Sequence, residues 1–233
     1  MRAIILAQGE GSRWDDQTSM YTELVRSVLY KQWLPVGDRT MIGRTVDLLH
    51  KAGMENITVV AGQSFAAKCP GAEIFTQETV GSLVDAIWQT HPLWHDRGTV
   101  YLHGDVLFSR RAIDLLAHPD GTKVLLARIE PNIITGKQAD EIFGFYIGPQ
   151  VYAEARKRVL RYHRQAPPKP WRFPHLLWDL ENIDPRGGLK QIEHLITAIN
   201  DYTDDIDSPQ GWERFWGPMK ASAMMEDEQC STL

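Results

Sequence analysis

Short strand-like apolar runs alternate, through the first half of the chain, with stretches whose apolar residues recur at helical spacing. Ala3 to Leu6, Ile57 to Val60, Val100 to His103 and Val124 to Ala127 are the strand-like runs, and Met41 to Ala52, Leu83 to Trp94 and Ala112 to Ala117 carry the helical period. This alternation predicts βαβ units: a largely parallel sheet covered by helices on both faces. In the first helix Met41, Ile42, Val46, Leu48, Leu49 and Ala52 form one stripe, and Gly53 supplies a C-terminal cap. Beyond Arg128 the pattern loosens, with Phe143 to Ile147 read as a strand and Tyr152 to His163 as a helix. Gln165 to Pro174 is a Pro-rich segment that must run extended, and its Trp171 and Phe173, with Trp178, either seal the core edge or wall a pocket. Asp15 to Tyr30 predicts a short helix inserted in a loop, and Met225 to Leu233 a frayed polar tail.

The 233 residues, 43% hydrophobic and 24% charged, suit one sizeable domain, placed at 1–224 and followed by the tail at 225–233. Two cysteines, Cys69 and Cys230, with no CxxC and no metal-ligand spacing, point to neither a disulfide framework nor a zinc site, and so to a reducing cytoplasm. The apolar run at the N-terminus is too short for a signal sequence, and no stretch approaches membrane-spanning length. A net charge of −5 excludes a general nucleic-acid binder, leaving small anionic partners compatible. The Trp-rich late region offers a surface for a homo-oligomer contact.

Candidate chemistry is concentrated where the first strand ends. Leu6-Ala7-Gln8-Gly9-Glu10-Gly11-Ser12-Arg13 is an apolar run breaking into a Gly-rich turn that ends in a cation, which gives bare backbone donors and a fixed charge for a polyphosphate. The turn lacks the third glycine of a dinucleotide fingerprint. Downstream follow Lys31-Gln32-Trp33-Leu34-Pro35, His103-Gly104-Asp105-Val106 after a strand, and Asp204-Asp205-Ile206-Asp207-Ser208-Pro209 near the end.

In these four motifs, in this order and over nearly the whole chain, the sequence resembles the nucleotidyltransferases that activate sugar phosphates and related phospho-compounds. Their motifs read approximately LAxGxGxR, KxxLP, GD and a late IDxPxD-like box. The resemblance implies a Rossmann-like three-layer α/β/α fold with a mixed, mainly parallel sheet. It implies transfer of a nucleoside monophosphate from a nucleoside triphosphate to a phosphate or phosphonate oxygen, with Mg²⁺ and release of pyrophosphate. The backbone from Gly9 to Ser12 would cradle the triphosphate, Arg13 would hold the departing pyrophosphate, and Lys31 would lie near the α-phosphate and the acceptor oxygen. Asp105 is the first expected metal ligand and Asp207 the second, with Asp205 as the alternate; helix capping competes for Asp207. Gln77, Gly81 and Ser82 would read the base, unless Ser82 is a plain N-cap. The acceptor pocket is expected between residues 128 and 195, with Glu130, Glu141, Gly144, Arg172, Arg186 and Lys190 as candidates. Compact length, without an added repeat domain, is more like the short cytidylyltransferases and favours CTP.

Three features depart from the family pattern: Gln8 where Ala or Gly is usual, the long gap between Arg13 and Lys31, and Gln210-Gly211 where an acidic residue is usual. Two other readings compete. A glycosyltransferase on the related nucleotide-sugar fold would use an Asp pair around one residue and would not need GxGxR and Lys31. A non-catalytic nucleotide-binding regulator would not need Arg13, Lys31, Asp105 and Asp207 together.

Overall fold

The computed structural model describes residues 1–7, 31–61, 69–76, 82–134, 136, 141–165, 173–206, 214 and 216–231. The strands follow in chain order as β1 (Arg2–Leu6), β2 (Pro35–Val36), β3 (Arg39–Thr40), β4 (Asn56–Ala61), β5 (Glu73–Thr76), β6 (Thr99–His103), β7 (Val106–Leu107), β8 (Lys123–Arg128), β9 (Glu141–Ile147), β10 (Ile196–Ala198) and β11 (Asp204–Asp205). The α-helices are α1 (Met41–Lys51), α2 (Leu83–Thr90), α3 (Arg110–Ala117), α4 (Tyr152–Gln165), α5 (Phe173–Leu180) and α6 (Gly217–Ser231). The expected inserted helix at 15–30 lies outside the described residues.

Seven strands form one sheet in the order β10-β8-β9-β6-β1-β4-β5. Every pairing in it is parallel except those of β9, which runs antiparallel to both β6 and β8. The inner strands β1, β4, β6, β8 and β9 are mostly buried and predominantly apolar because helices cover both faces. Ala3, Ile5 and Ala7 point to the face closed by α1 and α3, and Ile4 and Leu6 to the face closed by α2, α4 and α5. This is the three-layer α/β/α arrangement that the sequence pattern predicts. Among the described residues no helix is long and apolar enough to cross a membrane.

Local chemistry sets the helix ends. Thr40 caps α1 by accepting a hydrogen bond from Gly43 N at 3.0 Å, and Gly53, with φ +81°, turns the chain away at the other end. The helix read as Leu83 to Trp94 stops at Thr90 and continues as a 3₁₀ turn, His91–Leu93, because Pro92 cannot supply the next helical N–H. Phe173 is fully buried against His103 and Phe145, with ring centroids 4.6 and 4.5 Å away, and Trp178 is buried with it. These two therefore seal the core edge, while Trp171 lies outside the described residues.

Gly144 has a packing role. It sits inside β9 opposite Leu102 and Leu126, where a Cβ would come within 2.6 Å of the Tyr101 carbonyl oxygen and 3.2 Å of Leu116 Cδ1. Its missing side chain admits the β6 backbone and α3. Gly144→Ala should destabilise the protein by about 1–3 kcal/mol, because backbone cannot give way as a side-chain tip can. A denaturant midpoint equal to that of the parent would contradict this packing role.

Met225 to Ser231, expected as a frayed tail, instead complete α6. The physical reason is a set of charged contacts distant in sequence. Arg44 of α1, whose side chain is 2% exposed, reaches Asp227 Oδ2 at 2.8 Å, Glu226 Oε2 at 2.9 Å and the Tyr202 hydroxyl at 2.9 Å, and also donates to the Phe108 carbonyl. Glu226 additionally accepts the Arg110 N–H at 3.0 Å. Burial opposes the Arg44 charge, but the hydrogen bond it donates to Asp227 and the neighbouring charges outweigh it and raise its pKa. Below these contacts Met219, Ala223 and Trp216 join Leu34, Val36, Met41, Leu107, Tyr202 and Ile206 in a third apolar cluster.

Candidate active site

Three adjacent parallel strands, β4, β1 and β6, end together. Ala7 N donates to the Val60 carbonyl at 2.9 Å, and Gly104 N donates to the Leu6 carbonyl at 2.9 Å. Leu6 and Ala7 are thus buried at the carboxyl edge of the sheet, the edge where open α/β sheets bind ligands. Gly104 is required there: a Cβ would lie 2.8 Å from the Leu6 carbonyl oxygen and 3.0 Å from Ala7 Cα. This close approach delivers Asp105 beside the exit of β1.

Lys31 arrives from a different direction. It opens a 3₁₀ turn, Lys31–Trp33, that leads into fully buried Leu34 and the β2–β3 hairpin, and Met41 N bonds back to the Leu34 carbonyl at 2.9 Å. Leu34 anchors the turn, and the turn leaves Lys31 only 7% exposed. A buried ammonium needs partners. Lys31 Nζ lies 2.6 Å from Asp105 Oδ2 and donates to the Ile206 carbonyl at 3.1 Å. Ile206 N in turn donates to the Asp105 carbonyl at 3.4 Å. Three of the sequence motifs therefore meet at one ammonium group.

In the acidic run, β11 pairs antiparallel with β7, placing Asp204 opposite Leu107 and Asp205 opposite Val106. Asp204 is fully buried and faces Arg128, with Nη1 2.8 Å from Oδ2, while Asp205 is half-buried and points to the other face by strand alternation. Asp207 lies outside the described residues, as do Gln8, Gly9, Glu10, Gly11, Ser12, Arg13, Gln77, Gly81 and Arg172. Ser82 is the N-cap of α2 in a reciprocal capping box: its hydroxyl accepts from Asp85 N, and Asp85 Oδ2 accepts from Ser82 N at 2.8 Å. Burial opposes ionisation of Asp85, but hydrogen bonds from His163 and Ser82 prevail and lower its pKa.

Arg186 and Lys190 are not brought to this centre. Arg186 is exposed and grips its neighbour Asp184. Lys190 lines a cavity of about 380 Å³ with Ile129, Leu189, Glu193 and Ile196, beside β10. That strand is three positions from β6 in the sheet, or about 14 Å at the usual strand spacing. Glu130 is exposed just beyond β8, and Glu141 is half-buried at the start of β9.

The arrangement can neutralise and align an anion. It offers a buried cation and a carboxylate, 27% exposed, at the mouth of the central strands. Among the described residues no three His, Cys, Asp or Glu side chains gather as a metal cage.

Neither a protein-family model nor a curated protein matches the sequence. Solved structures do match the fold over almost its full length. A CTP:phosphocholine cytidylyltransferase from Streptococcus pneumoniae has a TM-score of 0.58 at 11% identity, covering 91% of this chain and 96% of that one. A nucleotidyl transferase from Methanothermobacter thermautotroptrophicus has a TM-score of 0.61 at 16% identity, with 95% and 98% covered. The inositol-1-phosphate CTP transferase from T. maritima has a TM-score of 0.57 at 13% identity, with 95% of each chain covered. The chain has the nucleotidyltransferase fold.

Within this nucleotidyltransferase fold, sequence reasoning missed the Ile206 carbonyl, the Arg128–Asp204 pair and Arg44. A carbonyl carries no residue-type signal. Arg128 did carry one: a charge closing the apolar run Val124 to Ala127 has to meet a partner if the strand is buried.

Proposed function

We propose that the protein transfers a nucleoside monophosphate, with CTP as the favoured donor, to a phosphate or phosphonate oxygen of a small acceptor. The observation that carries this reading is the convergence of Lys31, Asp105 and Ile206 at the carboxyl ends of the central parallel strands. In such a reaction the acceptor oxygen bonds to the α-phosphorus, the bond from that phosphorus to the bridging oxygen breaks, and pyrophosphate leaves with the electron pair. Negative charge on both partners resists their approach, so neutralisation and alignment are most of the catalysis. Lys31 is a compact cation held rigid by Asp105 and Ile206, able to meet the α-phosphate without reorganising. Gly9 to Ser12 and Arg13 follow directly from β1 in sequence and are the residues assigned to the triphosphate and departing pyrophosphate.

The donor set fits Mg²⁺, a hard cation that takes one or two carboxylates and completes its shell with phosphate oxygens and water. Asp105, whose Oδ2 is the oxygen on Lys31, and Asp207, with Asp205 as the alternate, would hold it. When bound it supplies charge neutralisation on the phosphates. CTP is favoured because two of the solved structures that share the fold are of CTP-using enzymes, one acting on phosphocholine and one on inositol 1-phosphate.

The test is a screen of Mg²⁺-dependent pyrophosphate release, with all four nucleoside triphosphates set against sugar 1-phosphates, inositol 1-phosphate, phosphocholine, phosphoethanolamine and phosphonates. Release that requires CTP and one acceptor class is the expected result. Nucleotide binding with no release across the panel would replace the enzyme by a nucleotide-binding regulator.

A further inference from the structure

Arg128 and Asp204 form a charge pair inside the protein, each side chain 1% exposed, with Nη1 2.8 Å from Oδ2. The N–H is not directed along that separation, and among the described residues none of the three guanidinium nitrogens has a hydrogen-bond partner. Arg128 is held instead by charge and by the face of Phe143, 5.7 Å from its Cζ. A buried pair without directed hydrogen bonds does not repay its desolvation, so stability is not what it contributes. What it does is fix one carboxylate. Asp204 Oδ2 also accepts from Asn132 Nδ2 at 3.3 Å, and Asp204 Oδ1 accepts from Asp205 N at 2.9 Å.

That carboxylate is two residues from the Ile206 carbonyl on which Lys31 rests, at 3.1 Å. Asp204 belongs to β11, two residues long and, among the described residues, paired with β7 alone, whose first residue follows Asp105. A ladder so short does not set its own height against the main sheet. Ile199 N, bonded to the Ala127 carbonyl at 3.0 Å, holds the approach to it, and Arg128, which closes β8 and so belongs to that sheet, is the side chain from β8 that reaches β11 itself. We infer that Arg128 and Asp204 are positioning residues, whose charge pair ties β11 to the main sheet and thereby places the Ile206 carbonyl that orients Lys31 toward Asp105. This rests on the reading of Lys31 as the phosphate-facing cation only for its functional meaning; the placement itself is independent of any substrate.

The test reads that placement without turnover. Pulse acetylation of the folded protein with acetic anhydride, followed by peptide mass spectrometry, gives the labelling rate of Lys31 relative to exposed Lys157. The double variant Arg128→Met with Asp204→Leu removes both charges and keeps apolar volume, so its thermal midpoint should equal or exceed that of the parent. Lys31 in that variant should label about fivefold faster, the effect of freeing one hydrogen bond. Arg128→Lys, which keeps the charge but not the planar reach, should give a smaller rise in the same direction. An undisturbed melt with Lys31 labelling within about twofold of the parent overturns the inference, because a lost hydrogen bond would exceed that. If the double variant does not fold, Arg128→Lys alone decides: accelerated Lys31 labelling supports the tie, and an unchanged rate removes it. Failure of the pyrophosphate screen would leave these labelling rates as they are, so the two readings fail separately.

Discussion

Lys31→Met is expected to lower pyrophosphate release about a hundredfold or more, the scale seen when a preorganised donor is taken from a developing charge. The substitution keeps the unbranched stem that packs at the 3₁₀ turn and removes only the ammonium group. Two further consequences separate this from general damage. Asp105 loses the cation 2.6 Å from its Oδ2, so a divalent metal no longer competes with Lys31 for that oxygen. Mn²⁺ affinity, measured from the electron paramagnetic resonance of the free ion, should therefore stay level or rise while turnover collapses. A variant that melts normally and retains turnover within about tenfold of the parent would remove Lys31 from the chemistry. Parallel loss of metal affinity and turnover would instead make Lys31 a structural prop for Asp105.

The second large effect is on stability. Arg44→Met withdraws the hub that joins α1, the Phe108 carbonyl, Tyr202 and the two carboxylates of α6. Removing one member of a buried ion pair typically costs 3–5 kcal/mol, and the lower figure, about 3 kcal/mol, applies because the carboxylate partners keep some access to water. Glu226 and Asp227 are 24% and 37% exposed, against 2% for Arg44. For a domain of this size the melting temperature should fall by about 6–12 °C. Limited proteolysis should cut first within α6, since what then holds it among the described contacts is the apolar contact through Met219 and Ala223 and the bonds of Glu226 to Arg110 N and the Tyr202 hydroxyl. A fall under about 2 °C would show that the apolar contact suffices without the ion pairs.

The main sheet was legible because strands buried on both faces must be apolar throughout, and those runs stand out between helical stripes. Direction was not. Phe143 to Ile147 reads as a strand, but nothing in an apolar run says that β9 lies antiparallel between β8 and β6. Strand β10, three residues long, falls below the length at which any period can be read. Helix α6 was hidden for another reason: few of its residues are buried apolar ones, and its polar end docks on Arg44, 183 residues away from Asp227. At the candidate site, Lys31 and Asp105 were legible as a cation and a carboxylate within their motifs. Their mutual contact was not, and neither was the split of Asp204 and Asp205 onto opposite faces, which depends on pairing with β7. The packing role of Gly144 was not legible, because glycine has the same appearance in a sequence whether it admits a ligand or a neighbouring strand.

The distance in sequence between Lys31 and Ile206, 175 residues, has a consequence for synthesis. A chain emerging from the ribosome N-terminus first can assemble β1, α1, β4 and β6 early, with Lys31 and Asp105 already out. The carbonyl that orients Lys31 and the helix α6 are made well after them. A nascent chain stalled before residue 204 therefore holds most strands of the sheet while Lys31 still lacks its Ile206 carbonyl partner.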